Sequence, residues 1–427
     1  MDKLIIEGKA RLKGEVSVSG AKNSVLPILA ATLLTDEECR IENCPNLRDT
    51  HTMIKLLRSL GKNAELNKNT ITVTSKGKTN YIADYKLVST MRGSFCVLGP
   101  LLAKLKMARV SLPGGCIIGV RPVDLHLKGM RALGAKINVQ GGYVEAKANS
   151  LKGNHIYLGG IFGSSVLATA NVMMAASLAK GKTTIESAAC EPELVDLANF
   201  LNKMGAKIKG QGSPKLEIEG VKELHGTEYN VIPDRIEAGT FLILSAITRG
   251  DITIKDVCWE HLSAIIDKLE EAGFVIEKTD PPDCRAGCKI QLRVKRKINP
   301  VNVTTLPYPG FPTDLQSQFM TLMAVTPGVS VITEKVFPDR FIHIAELNRM
   351  GAKIMREGAS AIIEGVKQLS AAPVMASDLR ASAALVLAGL VAKGRTEISR
   401  IYHLERGYEN LDEKLTNLGA RVWREKE

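Results

Sequence analysis

Aromatic residues make up only 4% of the 427-residue chain. Single-stranded nucleic acid is commonly held by stacking bases on exposed rings, so this scarcity argues against such a platform. The opening segment MDKLIIEGKARLKG lacks the long apolar stretch of a secretory signal peptide. No stretch reaches the ~18 uninterrupted apolar residues of a membrane span. The eight cysteines lack zinc-ribbon spacing. Cys284 and Cys288, in DCRAGC, are a single short pair, expected in a surface loop and not around a metal. Such cysteine usage suits a reducing, cytoplasmic compartment. A nucleotide loop is missing too: AKGKTT ends like one, but Ala176 stands where the motif requires its first glycine. The sister stretch AKGRTE makes both read as turns between helix and strand. No Gly-x-Gly-x-x-Gly follows a strand and opens a helix, so there is no dinucleotide fingerprint.

What is present is positive charge. The net balance is +12, which suits anionic partners such as phosphorylated metabolites, nucleic acid or acidic lipid. The cations are scattered, and the densest run, Arg293 to Lys297, reads as a solvated strand end. The chain is 45% hydrophobic and 24% charged, a globular composition, and its length implies two domains.

One unit recurs along the sequence. An apolar run, a turn and a strand-like segment appear in KNSVLPILAATLLTDEECRIE, GSFCVLGPLLAKLKMARVSLP, SSVLATANVMMAASLAKGKTTIE, GTFLILSAITRGDITIK, DLQSQFMTLMAVTPGVSVIT and DLRASAALVLAGLVAKGRTEIS. A more polar amphipathic helix follows each and closes on Gly61, Gly134, Gly205, Gly273, Gly351 or Gly419. The spacing, about 70 residues, is longer than that of a solenoid repeat. Glycine at those points fits a left-handed helix terminus. The first helix of each unit is apolar all round and so should be buried on every side. Six units predict two α/β domains of three units each, helices inside and sheets outside. The boundary is expected near residue 230, where Pro233 marks a break.

Several residues break this pattern. Lys22 and Asn23 open an apolar helix after a Gly-containing turn, and a lysine there is costly to bury unless it meets an anion. Arg92 and Arg380 also stand at the heads of apolar helices, and Arg121 and Arg406 lie near loops. Their planar forks suit carboxylate or phosphate, although each taken alone equally suits a structural ion pair. Asp314 precedes another apolar helix, where capping is the first expectation and proton abstraction from a substrate hydroxyl the alternative. Cys116 follows Pro113, Gly114 and Gly115, on a loop free to move and close to Arg121. Cations lower a thiol pKa, so Cys116 is expected to be reactive, as general acid or nucleophile.

The stretches SGAKNSVLPILAATLL, LPGGCIIGVRPVDLHLKGMRALGA, EPELVDLANFLNKMGAKI, PDRIEAGTFL, YPGFPTDLQSQF, ASDLRASAALVLAGLVAKG and IYHLERGYENLDEKL resemble the UDP-N-acetylglucosamine 1-carboxyvinyltransferase family, across essentially the whole chain. The resemblance implies an EPSP synthase-like fold, a two-domain inside-out α/β barrel built from six repeats, three per domain. It implies one domain over residues 21–230 and a second formed by 1–20 with 231–427. The implied reaction transfers the enolpyruvyl group of phosphoenolpyruvate to the 3-hydroxyl of UDP-N-acetylglucosamine, the first committed step of peptidoglycan synthesis, with closure of the cleft between the domains. Cys116 matches the proton donor that can form a covalent adduct. Lys22, Arg121 and Arg406 match the cations that hold phosphoenolpyruvate, and Asn23 a residue that contacts the substrates. Asp314 matches the base. Arg92, Arg121, Pro122, Val123, Asp124, Leu125, Ser165, Val166 and Val336 match positions that bind the nucleotide sugar, and Asp378 and Arg380 a catalytic pair. No cofactor, metal, nucleic acid or membrane is implied, and a monomer is the default. Two positions depart from the family: Gly163 replaces a frequent lysine and Leu167 a frequent glycine, so diphosphate contacts on that side are expected to differ, with NHIYLGG nearby. The DPPDCRAGC segment is also unlike the family pattern. The rival readings are a 5-enolpyruvylshikimate-3-phosphate synthase, which lacks the cysteine loop, and an RNA-binding or RNA-end-processing protein, suggested by the charge.

Overall fold

The computed structural model describes residues 2–9, 11–114, 123–279, 288–294 and 298–426. Cys116, Arg121, Pro122 and Cys284 lie outside them. The chain divides into two compact units, one holding Gly20 to Ile232 and the other the segment before Gly20 together with Pro233 onward. Each has its own hydrophobic core.

The described strands form six four-stranded sheets and one two-stranded hairpin. In the Gly20–Ile232 unit the first sheet runs Glu228–Asn230, Cys39–Glu42, Thr70–Ser75, Lys62–Asn67. The second runs Ile82–Ala83, Met107–Ser111, Tyr143–Lys147, Lys136–Gln140, and the third His155–Tyr157, Lys182–Glu186, Lys215–Glu219, Lys207–Lys209. The other unit repeats the order. Its sheets run Lys13–Ser17, Asp251–Lys255, Lys289–Val294, Phe274–Thr279, then Val303–Thr305, Val329–Glu334, Ser360–Glu364, Lys353–Glu357, then Pro373–Met375, Arg395–Ser399, Asp2–Glu7, Arg421–Lys426. In every case the first pair is parallel and the other two antiparallel. The last sheet is completed from the far end of the sequence: Leu4 pairs with Ile398 on one side and with Arg424 on the other.

The helices inside each unit follow from their composition. Helix Lys22–Ala31 buries every residue except Asn23. Gln316–Ala324 buries all of its residues, with Ser317, Gln318 and Thr321 hydrogen-bonded inside, and Leu379–Val391 buries Arg380 through Leu390. A helix apolar on all faces can satisfy itself only by being surrounded, and each fully buried leucine or isoleucine contributes about 1.5–3 kcal/mol. The second helix of each repeat is one-sided. Arg48–Ser59 buries Met53, Ile54, Leu56 and Leu57 and leaves Lys55 and Arg58 outside. The six closing glycines stand at φ of 93°, 97°, 104°, 100°, 86° and 92°, a region that costs other residues energy. Gly181 of AKGKTT, at φ 86°, is likewise a turn, between helix Val166–Ala176 and strand Lys182–Glu186.

One expectation is corrected. Cys288 is not in a surface loop: it is 1% exposed, and its carbonyl accepts from Val257 N–H at 3.3 Å, ahead of strand Lys289–Val294. The strand that follows, which buries Ile290 and Leu292 and exposes Lys289 and Arg293, draws it into the core. Among the described residues no three His, Cys, Asp or Glu side chains gather as a metal site, and no helix is long and apolar enough to cross a membrane.

Candidate active site

In the Gly20–Ile232 unit the charged centre is Lys22. It is the first residue of its helix, preceded by Ala21, whose side chain cannot cap. Lys22 is 8% exposed, and its Nζ lies 2.7 Å from Asp49 Oδ2. Asp49, in the first turn of helix Arg48–Ser59, is the anion that offsets burial of the ammonium. Two residues further in, Ser24 Oγ donates to Asp196 Oδ2, which is also bonded by Ile232 N–H at 3.3 Å, while Tyr229 OH donates to Asp196 Oδ1 at 2.6 Å. This network fastens the start of the Lys22 helix to helix Pro192–Lys203 and strand Glu228–Asn230. Asn23 is half-buried beside Lys22.

Arg92 opens the 3-10 turn Arg92–Val97 that leads into helix Leu98–Leu105. Burial, helped by the Arg92 charge, pulls the neighbouring His126 down to about 3. The ring is therefore neutral, and its Nδ1 accepts from Asn171 Nδ2 at 2.9 Å. Val123 and Leu125 are half-buried and Asp124 exposed, at the head of helix Asp124–Ala132. Ser165 caps helix Val166–Ala176, its Oγ accepting from Ala168 N–H at 3.4 Å. The two departures have local causes. Gly163 sits at φ 91° in the hairpin Gly159–Gly160/Gly163–Ser164, where a lysine would be strained. The Leu167 side chain packs on the hydrophobic core.

In the other unit the centre is Asp314, and capping is not its role: neither the turn Thr313–Leu315 nor helix Gln316–Ala324 takes a side-chain cap. Its Oδ1 accepts from Arg340 Nη1 at 2.6 Å and its Oδ2 from Arg380 Nη2 at 2.8 Å. Side-chain exposures are 25% for Asp314, 8% for Arg340 and 3% for Arg380. Burial pushes the Asp314 carboxyl up, but the two guanidiniums outweigh it and hold it well below the usual aspartate range. Arg380 lies 5.5 Å over the Tyr408 ring, and among the described residues its Nε and Nη1 are buried without a hydrogen-bond partner. Asp378 caps helix Leu379–Val391, accepting from the backbone N–H of Arg380 at 2.8 Å and of Ala381 at 3.1 Å. It thus positions Arg380 by its main chain, while the guanidinium goes to Asp314. Val336 donates its N–H to Glu334 Oε1 at 2.9 Å, and Arg406 is half-buried at the end of the turn Ile401–Arg406.

Two residues of these clusters had no mark in the sequence. Asp49 is an ordinary first-turn acid of an amphipathic helix, and Arg340 sits in FPDRFIH, outside any repeat-breaking pattern. An acid facing Lys22 could have been demanded on energetic grounds, but not located.

Sheets enclosing buried helices, with cations and carboxylates gathered at the heads of those helices, define an EPSP synthase-like protein. EPSP synthase from Acinetobacter baumannii superposes over 100% of both chains with a TM-score of 0.78 at 19% identity, a likeness of fold. The enolpyruvyl transferase NikO from Streptomyces tendae covers 99% of this chain and 98% of its own, with a TM-score of 0.86 at 25% identity. Residues 6–415 match the family model of EPSP synthase (3-phosphoshikimate 1-carboxyvinyltransferase). At the level of sequence, the UDP-N-acetylglucosamine 1-carboxyvinyltransferase 2 of Carboxydothermus hydrogenoformans is 54% identical over 425 residues, 99% of each chain. The UDP-N-acetylglucosamine 1-carboxyvinyltransferase of Geotalea uraniireducens is 53% identical over 100% of both. This chain belongs to the EPSP synthase family and, within it, to the UDP-N-acetylglucosamine 1-carboxyvinyltransferases.

Proposed function

We propose that this chain transfers the enolpyruvyl group of phosphoenolpyruvate to the 3-hydroxyl of UDP-N-acetylglucosamine, releasing phosphate and opening peptidoglycan synthesis in the cytoplasm, as a monomer without a cofactor. The observation that carries the reading is Arg380. A buried guanidinium with two donors unpartnered among the described residues, beside a second guanidinium, is a receptor for a planar anion. Phosphoenolpyruvate offers a carboxylate and a phosphate.

Asp314 is ionised at neutral pH and a weak proton acceptor while both guanidiniums hold it. A substrate carboxylate that shares those donors raises its proton affinity and readies it for the sugar hydroxyl. The hydroxyl oxygen bonds to the central enol carbon as the methylene carbon takes a proton; phosphate then leaves the tetrahedral intermediate with the electron pair of its carbon–oxygen bond, and the new methyl group gives up a proton to restore the carbon–carbon double bond. Cys116 is the assigned proton donor and site of covalent adduct formation. Lys22, Arg121 and Arg406 hold phosphoenolpyruvate, with Asn23 beside it. Arg92, Arg121, Pro122, Val123, Asp124, Leu125, Ser165, Val166 and Val336 take the nucleotide sugar, with the N-terminus of helix Val166–Ala176 suited to a diphosphate. Asp378 and Arg380 act as a pair, the first holding the second. The domains are 21–230, and 1–20 with 231–427, each three repeats of an inside-out α/β barrel. The recurring strand order of the six large sheets supports that reading.

A phosphate-release assay with phosphoenolpyruvate and each acceptor tests it. Release is expected with UDP-N-acetylglucosamine. Release with shikimate 3-phosphate alone would move the assignment to the sister enzyme, and tight RNA binding at physiological salt without sugar-nucleotide binding would move it to another class. Cys116→Ser should abolish labelling by fosfomycin, the family's epoxide inhibitor, and unchanged labelling would remove the role given to this thiol.

A further inference from the structure

We infer that Glu334 is a positioning residue for the Asp314–Arg340 pair, acting through the hydroxyl of Thr313. Glu334 ends strand Val329–Glu334 and is fully buried. Its Oε1 accepts from Thr305 Oγ1 at 2.6 Å and from the N–H groups of Val336 and Phe337, each at 2.9 Å. Its Oε2 accepts from Thr313 Oγ1 at 2.9 Å. All of these donors are neutral, and among the described residues Glu334 has no ion pair. A carboxylate buried in this way is retained only if its hydrogen bonds are complete.

Thr313 is the link. Its oxygen accepts from Arg340 Nη1 at 3.0 Å, and the same guanidinium nitrogen reaches Asp314 Oδ1 at 2.6 Å. A hydroxyl has one proton to give. Because Glu334 can only accept, that proton points to Glu334 and leaves the Thr313 lone pairs for Arg340. Glu334 thereby sets the direction of a chain running Glu334, Thr313, Arg340, Asp314, Arg380. A glutamine at 334 places an amide donor where an acceptor stood, or rotates and gives up the Val336 and Phe337 N–H bonds. Either change loosens Arg340. The charged and titratable groups around the far end of the chain are Arg340, Arg380, Asp378, His343, Tyr408 and Asp234, and none of them touches Glu334.

This role rests on the enolpyruvyl transferase reading, and one set of variants separates the two. Thr313→Val and Glu334→Gln are expected to lower kcat about tenfold to a hundredfold, with a smaller change in KM. Both should shift the acid limb of the pH profile upward, because Asp314 loses part of the cation that keeps it ionised. Thr313→Ser, which keeps the hydroxyl, is expected to restore both. The Asp314 carboxyl 13C resonance should begin to titrate at higher pH in Thr313→Val than in the parent, a readout independent of turnover. An unchanged acid limb and an unmoved carboxyl titration in Thr313→Val, or a Thr313→Ser as impaired as Thr313→Val, would overturn the role. A parent that releases no phosphate with any acceptor would sink the transferase reading alone, and the carboxyl titration would still decide the role of Glu334. Should Glu334→Gln fail to fold, the two Thr313 variants carry the comparison.

Discussion

Helix Lys22–Ala31 and helix Gln316–Ala324 are both buried helices of the same repeat pattern, one in each unit. The first begins on a lysine held by one carboxylate, Asp49, and the second follows an aspartate held by two guanidiniums, Arg340 and Arg380. One kind of scaffold thus presents opposite charge arrangements at equivalent helix heads. Burial sets the helices, while the polar groups at their heads are free to diverge. In the first, the Asp49 carboxylate faces the Lys22 ammonium at 2.7 Å. In the second, two guanidiniums converge on one carboxylate, and Nε and Nη1 of Arg380 have no hydrogen-bond partner among the described residues. Unmatched donors are what an anionic substrate requires.

The comparison can be broken first at its charged ends. Asp314→Asn removes the assigned base and leaves two guanidiniums facing each other. Turnover is expected to fall about a thousandfold in the phosphate-release assay, with a stability loss of about 3–5 kcal/mol by denaturant titration. Asp49→Asn should cost less, about 3 kcal/mol, because it weakens the hold on one ammonium and not on two guanidiniums, and its kinetic mark should be a raised KM for phosphoenolpyruvate. Equal losses of turnover in the two variants would erase the asymmetry.

A third test concerns protons. Burial lowers His126 to about 3 in one unit and His343 to about 4 in the other. An unfolded histidine titrates near ~6.5. Below that pH the unfolded chain binds more protons than the folded one, so stability present at neutral pH is lost as pH falls. Denaturant titrations from pH 7 to 5 should show this decline, and His126→Gln should flatten it. A decline as steep in that variant as in the parent would place the acid sensitivity elsewhere. The smallest effect is the most symmetric: Gly205→Ala and Gly419→Ala, at φ 104° and 92°, should each cost about 1 kcal/mol. A marked inequality between them would show that the repeats end their helices differently.

Much of this architecture was legible because it is written in short-range pattern. Apolar runs declared the buried helices, and glycines marked where the amphipathic ones stop. Lys22 was conspicuous because an ammonium at the head of an apolar helix is expensive. Its partner was not, because pairing with Asp49 is fixed by how two helices pack, and any acid on the neighbouring surface would have read the same. Arg340 was hidden for that reason, lying 26 positions from Asp314. Asp314 reads as a cap because it precedes an apolar helix, while the guanidiniums that claim it come from other elements. Cys288 misled because a single short cysteine pair with no second pair nearby reads as a surface loop, whereas the strand beginning at Lys289 carries it inward.

The strand Asp2–Glu7 lies between Arg395–Ser399 and Arg421–Lys426, and Lys3 meets Glu397 across 394 positions. During synthesis that strand must wait, its hydrogen-bonding edges unmatched, until nearly everything after it has left the ribosome. The Gly20–Ile232 unit can complete its own sheets meanwhile, which makes it the earlier folder and leaves the remaining unit the one more exposed to premature association.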